Sequence, residues 1–227
     1  MASKSAARRN LDKAARYFKA QGIEHALVER PYQGPTLTVV DPHGKPVELY
    51  FAMEKRERLL QRYGAHKGVQ PQRLDHFNVL APNVQGSVDF HAALGFRLTE
   101  YAEEDRPSGH IAAAWMHRKG NVHDLAFTNG RGPRLHHLDY WVPTPLQIIH
   151  LCDLMATTGD LANLERGPGR HGISNAFYLY VRCPDGIALR STAATIRPSI
   201  PIMNRSGGTC ATSPADAVGS AGAALLV

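Results

Sequence analysis

The sequence predicts an α+β fold of paired strand–helix–three-strand units followed by a disordered C-terminal tail, and three observations predict it. Two nine-residue runs read alike, Leu74-Asp75-His76-Phe77-Asn78-Val79-Leu80-Ala81-Pro82 and Leu135-His136-His137-Leu138-Asp139-Tyr140-Trp141-Val142-Pro143, each with a histidine third and a proline last. A helical apolar stripe that stops at a glycine occurs three times. Pro-x-Gly turns lie between strand-like runs at Asp41-Pro42-His43-Gly44 and at Cys183-Pro184-Asp185-Gly186. The unit returns at roughly sixty residues, so the chain reads as repeated units rather than alternating helices of one parallel sheet.

Taken in order, Leu11, Ala14, Ala15 and Phe18 make the first helical stripe, ending at Gly22; strand-like runs follow at 24–29, 36–40 and 47–51. Val88, His91 and Leu94 make the second, ending at Gly95, with runs at 97–102, 111–117 and 124–128. Leu146, Ile149, Cys152 and Met155 make the third, ending at Gly159, with a run at 175–182.

A chain of 227 residues with 43% hydrophobic and 20% charged content is ordinary for a soluble globular protein. No apolar run reaches membrane-spanning length, and Lys4, Arg8 and Arg9 have no apolar segment behind them to make a secretory signal. Cys152, Cys183 and Cys210 are odd in number and widely spaced, which fits a reducing cytoplasm. The net charge of +6 raises nucleic acid as a partner, but Lys55, Arg56, Arg58 and Arg62 alternate with Glu54, Glu57, Leu59 and Leu60, the pattern of a solvated helix face. Neither nucleic acid nor a membrane is expected as a partner.

One histidine per repeat suggests two units giving one imidazole each to a shared ion, because neutral imidazole is the commonest ligand of catalytic transition metals. His136 falls one residue from His137 and so is expected on the opposite strand face. His91, His110, His117 and His150 read as packing or solvent histidines.

Beyond the repeat, five motifs occur in order: 74–78, Ala114-Trp115-Met116-His117-Arg118-Lys119, Val122-His123-Asp124, Arg134-Leu135-His136-His137, and Glu165-Arg166-Gly167-Pro168-Gly169-Arg170-His171-Gly172 running on to Tyr178-Leu179-Tyr180. With these the chain resembles the vicinal oxygen chelate (glyoxalase-like) superfamily, whose βαβββ modules pair around a divalent metal, and within it the extradiol catechol dioxygenases of the homoprotocatechuate 2,3-dioxygenase type. The resemblance implies His76 and His137 as metal ligands, with Fe(II), or Mn(II), as the cofactor. It implies His123 as an acid–base residue, Tyr180 and His171 as hydrogen-bonding groups at the substrate, Arg166 as a cation near an acidic substrate side chain, and Asn78 and Trp115 as pocket walls. Two histidines and a carboxylate on one face of the ion leave open positions for a catechol and O₂.

The departure from the pattern is at the third ligand. The family has a glutamate six residues past the proline of the turn; the first unit keeps this spacing, Pro42 to Glu48, but six residues past Pro184 is Arg190. A guanidinium cannot coordinate a cation, and in this resemblance Glu48 belongs to the metal-free half. From Ile187 onward the chain has no Tyr, Phe, Trp or Glu, a composition with little to bury. Codons for Ile187–Thr192, re-read one base earlier, can spell His-Arg-Ile-Glu-Ile-Tyr, so a one-base deletion near codon 187 is expected to have put the tail out of frame.

The expected organisation is a remnant of the metal-free half over 1–68, a metal-binding half over 72–190 with its last module incomplete, and a disordered tail over 191–227. The chain begins near the helix of the second N-terminal module of the family pattern, so it reads as a fragment, homo-oligomeric when intact. The expected reaction is meta-cleavage of a catechol by O₂ in aromatic-compound catabolism, with 3,4-dihydroxyphenylacetate as the leading substrate and the literal chain inactive through Arg190. The alternatives are another metalloenzyme of the superfamily, such as a glyoxalase-like isomerase or thiol transferase, and a binding module that has lost its metal.

Overall fold

The computed structural model describes residues 4–104, 109–193 and 207–209. They fall into two compact units, Met1–Gln61 and Arg62–Val227.

In the first unit, helix α1 (Lys4–Ala20) is followed by β1 (His25–Arg30), β2 (Gln33–Val40) and β3 (Pro46–Tyr50), an antiparallel sheet in sequential order. The helix buries Leu11 and Phe18, seven residues and thus two turns apart on one face. It stops where Gly22 turns left-handed (φ 66°), with Ile23 N donating to Phe18 O and Gly22 N to Lys19 O. Glu48, the glutamate six residues past Pro42, lies at the surface and accepts from Arg30 Nε and Gln33 Nε2.

The second unit holds two copies of one topology. The first runs β4 (Arg73–Ala81), α2 (Val84–Ala93), β5 (Arg97–Glu103), β6 (Ile111–His117), β7 (Leu125–Asn129); the second runs β8 (Arg134–Trp141), α3 (Pro145–Thr158), β9 (Leu164–Arg170), β10 (Phe177–Arg182), β11 (Ala188–Ala193). Both belong to one nine-stranded sheet in the order β12-β5-β6-β7-β4-β8-β11-β10-β9, where β12 is the short edge strand Gly207–Thr209. Within each copy the first strand lies parallel to the last, β4 on β7 and β8 on β11, and the copies join through the antiparallel β4–β8 pair. Each helix covers its own core: Val84 and Val88 of α2 pack with Val79, Met116 and Phe127, and Ile148 of α3 packs with Val142, Leu179 and Ala193. No described helix is long and apolar enough to cross a membrane.

One boundary and one strand differ from what the sequence predicts. The second module, expected to stop short at residue 190 with a disordered tail from 191, is completed by β11 through Ala193, whose Ala188, Arg190, Thr192 and Ala193 are buried. A strand is held by backbone pairing to both neighbours, and small side chains do not prevent that. The rest of the expected tail, other than β12, lies outside the described residues. Strand β9 was hidden in the sequence by its Gly167-Pro168-Gly169 centre; it is an edge strand, where proline is tolerated. A Cβ at Gly167 would sit 2.7 Å from Tyr178 O at a φ of 94°, so β9 can approach β10 only with glycine there.

Candidate metal centre

The sheet register lines up a single row of side chains across five strands. His76 of β4 faces Asp139 of β8, Asp139 faces Arg190 of β11, Arg190 faces Tyr180 of β10, and Tyr180 faces Arg166 of β9. His137 lies two residues from Asp139 on the same face of β8, opposite Asn78. The loop before β7 adds His123, whose ring lies 4.0 Å from that of His76; the His137 ring lies 5.6 Å from His76 and 5.2 Å from Tyr180. Asn121 Nδ2 fixes this loop by donating to His123 O at 2.7 Å and to Asp75 O at 3.3 Å.

Burial dominates the electrostatics. Burial and neighbouring positive groups hold His76, His123 and His137 well below the usual histidine range, so all three are neutral. His171 is pushed down to about 3 by burial and by Arg190 and Arg166; its Nδ1 accepts from Ile173 N, and its ring meets Tyr178. Asp139 is raised to about 6 by burial, against the pull of Arg190 and Thr192. Asp75 is likewise raised by burial, against Arg73 and Arg190.

The Arg190 guanidinium, 3% exposed, sits at the centre of this row. Its Nε donates to Asp139 Oδ1 at 2.9 Å, its Nη1 to Tyr180 Oη at 3.2 Å, and its Nη2 to His76 Nε2 at 2.8 Å. His76 therefore accepts on Nε2 and carries its proton on Nδ1, which points to Asp75 Oδ2 at 3.1 Å. Asp139 Oδ2 takes the Thr192 hydroxyl at 2.5 Å.

Three ring nitrogens are left over. Neither nitrogen of His123, nor Nε2 of His137, has a hydrogen-bond partner among the described residues, although all are buried. Buried polar atoms without partners are rare, and each calls for an account such as a water, an ion or a catalytic role. Asp75, His76 and Asp139 also form a triad of metal-ligating type, with one ligand atom each within 4.8 Å of one another. The orphaned nitrogens fit a metal or a substrate. The Nε2 face of His76 does not fit a divalent ion, because a permanently charged guanidinium already occupies it.

The remaining expected site residues are placed as follows. Asn78 is buried and exchanges hydrogen bonds with Thr128 across β4 and β7. Trp115 is buried against Ala102, Ala113, Ala126 and Ile173. Arg166 stands 6.0 Å from the Tyr180 ring. His136 departs from its expected separation from the site: it is the unpaired residue of a bulge between the Asn78–His137 and Val79–Leu135 pairs, and its Nδ1 reaches His137 Nδ1 at 2.6 Å. His91 is a packing histidine, held by Ser87 O and ringed by Phe90, Phe96 and Phe127. Asp75, Asn121 and Asp139 were missed; strand alternation from His137 was the available signal for Asp139.

Known proteins resemble the chain over most of its length. Residues 73–190 match the Glyoxalase/Bleomycin resistance protein/Dioxygenase superfamily. A manganese-dependent 2,3-dihydroxybiphenyl 1,2-dioxygenase of Geobacillus genomosp. 3 is 33% identical over 75% of this chain and 58% of its own length. Among solved structures, homoprotocatechuate 2,3-dioxygenase of Arthrobacter globiformis superposes with a TM-score of 0.82 at 36% identity, covering 92% of this chain and 64% of that one. A mutant of the Brevibacterium fuscum enzyme of the same name gives 0.79 at 40% identity, covering 86% and 54%. The chain thus spans between about half and two thirds of the length of these relatives.

Proposed function

The chain belongs to the Glyoxalase/Bleomycin resistance protein/Dioxygenase superfamily, and from that membership we propose that it carries the catalytic half of an extradiol catechol dioxygenase whose centre is closed by Arg190. The reaction is meta-cleavage: the ring opens beside its hydroxyls and both atoms of O₂ enter the product. A catechol with an acidic side chain, such as 3,4-dihydroxyphenylacetate, is the proposed substrate, and Fe(II) or Mn(II) the proposed metal of the open form.

The observation that carries this reading is the set of buried, unpartnered ring nitrogens on His123 and His137 beside His76, Tyr180 and His171. In the proposal His123 moves a proton at the substrate hydroxyl, since a buried neutral imidazole can take a proton on one nitrogen and give one from the other. Tyr180 and His171 hydrogen-bond the ring oxygens, Arg166 meets the side-chain carboxylate, and Asn78 and Trp115 wall the pocket. As it stands the chain is silent, because Arg190 holds His76 Nε2. The tail beyond Gly186 is proposed to be out of frame, which would account for arginine at this position.

The test is oxygen uptake by the Arg190→Glu variant loaded with Fe(II) or Mn(II). Uptake with 3,4-dihydroxyphenylacetate, and none from the unmodified chain, is the expected result. Isomerisation of a hemithioacetal without oxygen uptake would favour the glyoxalase-like alternative instead.

A further inference from the structure

We propose that the Arg190 guanidinium is the resident cation of this centre, with Asp139 as its built-in counter-charge, so that the buried site is assembled without metal. The inference deepens the reading above by naming what the closed centre does.

All three guanidinium nitrogens each meet a different side chain, on β8, β10 and β4. Asp139 is wholly buried and is held from β11 twice, by Arg190 and by Thr192 two residues on, so one strand face supplies both donors to one carboxylate. Arg190 and Asp139 are register partners in the parallel β8–β11 ladder, which places them together through the backbone pairing alone. Around His76 the two guanidiniums, Arg73 and Arg190, and the two carboxylates, Asp75 and Asp139, cancel in formal charge. A divalent ion added there would bring uncompensated positive charge into a water-poor site next to a fixed cation, which is strongly unfavourable. A glutamate in place of Arg190 would reverse this balance and leave a net negative charge of two, matched to a divalent ion.

The full chain is incubated anaerobically with Mn(II) or Fe(II) and passed through gel filtration; bound metal is then measured, together with the melting temperature with and without EDTA. Metal far below one equivalent, and a melting temperature unmoved by Mn(II) or by EDTA, are expected. Stoichiometric metal, or a melting temperature that rises with Mn(II) and falls with EDTA, overturns the proposal. Arg190→Glu is expected to bind Mn(II) at least tenfold more tightly than the unmodified chain; a folded variant that binds no better shows that the guanidinium is not what excludes the ion, and also overturns it. If that variant does not fold, the measurements on the unmodified chain still decide. Failure of the ring-cleavage reading would be seen in the oxygen-uptake assay and would leave these metal measurements unchanged.

Discussion

Asp139 and Arg190 stand opposite each other in the β8–β11 ladder and join at 2.9 Å, both withdrawn from water. A buried ion pair of this kind is strongly destabilising when only one partner is removed, and close to neutral when both are replaced by well-packed apolar groups.

Asp139→Ala should therefore cost about 3–5 kcal/mol of unfolding free energy, because it leaves the guanidinium buried without its carboxylate. The double replacement Asp139→Leu with Arg190→Met should recover most of that loss. Urea unfolding of Asp139→Leu alone, Arg190→Met alone and the double variant checks this; additive losses would show that the two residues do not act as a pair.

The pH dependence has a definite sign. Burial raises the Asp139 carboxyl from its ordinary 3.8 to about 6. Between about pH 4 and 6 the folded chain thus holds a proton that the unfolded chain has released. The contribution is fully present below about pH 4 and is lost as pH rises through about 6, so stability falls across this window. Asp139→Asn cannot titrate and should flatten that part of the profile. An identical profile for the variant would mean that Asp139 does not titrate there.

In a chain with the reading frame restored, which itself places glutamate at position 190, roles should separate by readout. His76→Ala and His137→Ala should abolish metal binding, whereas His123→Asn should keep the metal and slow turnover by roughly 10²- to 10⁴-fold, the usual range for a positioned acid–base group. Tyr180→Phe should act in the same way more mildly, and Arg166→Ala should chiefly raise KM for catechols that carry a carboxylate. His123→Asn losing its metal, or keeping full rate, would contradict the role proposed for it.

The gene around codon 187 offers an independent check. One inserted base should restore an open strand carrying glutamate at the position of Arg190. A nucleotide sequence in which no such insertion keeps the frame open removes the proposed origin of Arg190 and leaves its structural role standing.

Much of this arrangement was legible in the residues. The twin runs around His76 and His137 announced the β4–β8 pair, since a repeat that returns one strand per copy brings equivalent side chains to one place. The three glycine-stopped stripes announced the helices. The place of Arg190 beside His76 came only through the family resemblance, and its pairing with Asp139 was not legible, because the two are 51 residues apart and meet only through register. Strand β9 escaped for a different reason. Its glycines and proline suppress the alternation that betrays a strand, while backbone pairing on an established sheet still recruits it.

The most direct test is a crystal structure of the purified chain grown in excess Mn(II), with anomalous diffraction measured at the manganese edge. The guanidinium of Arg190 should lie within hydrogen-bond distance of His76 Nε2, with no anomalous peak between His76 and His137. A manganese ion bound by those two imidazoles, with Arg190 swung away from Asp139, would contradict the account.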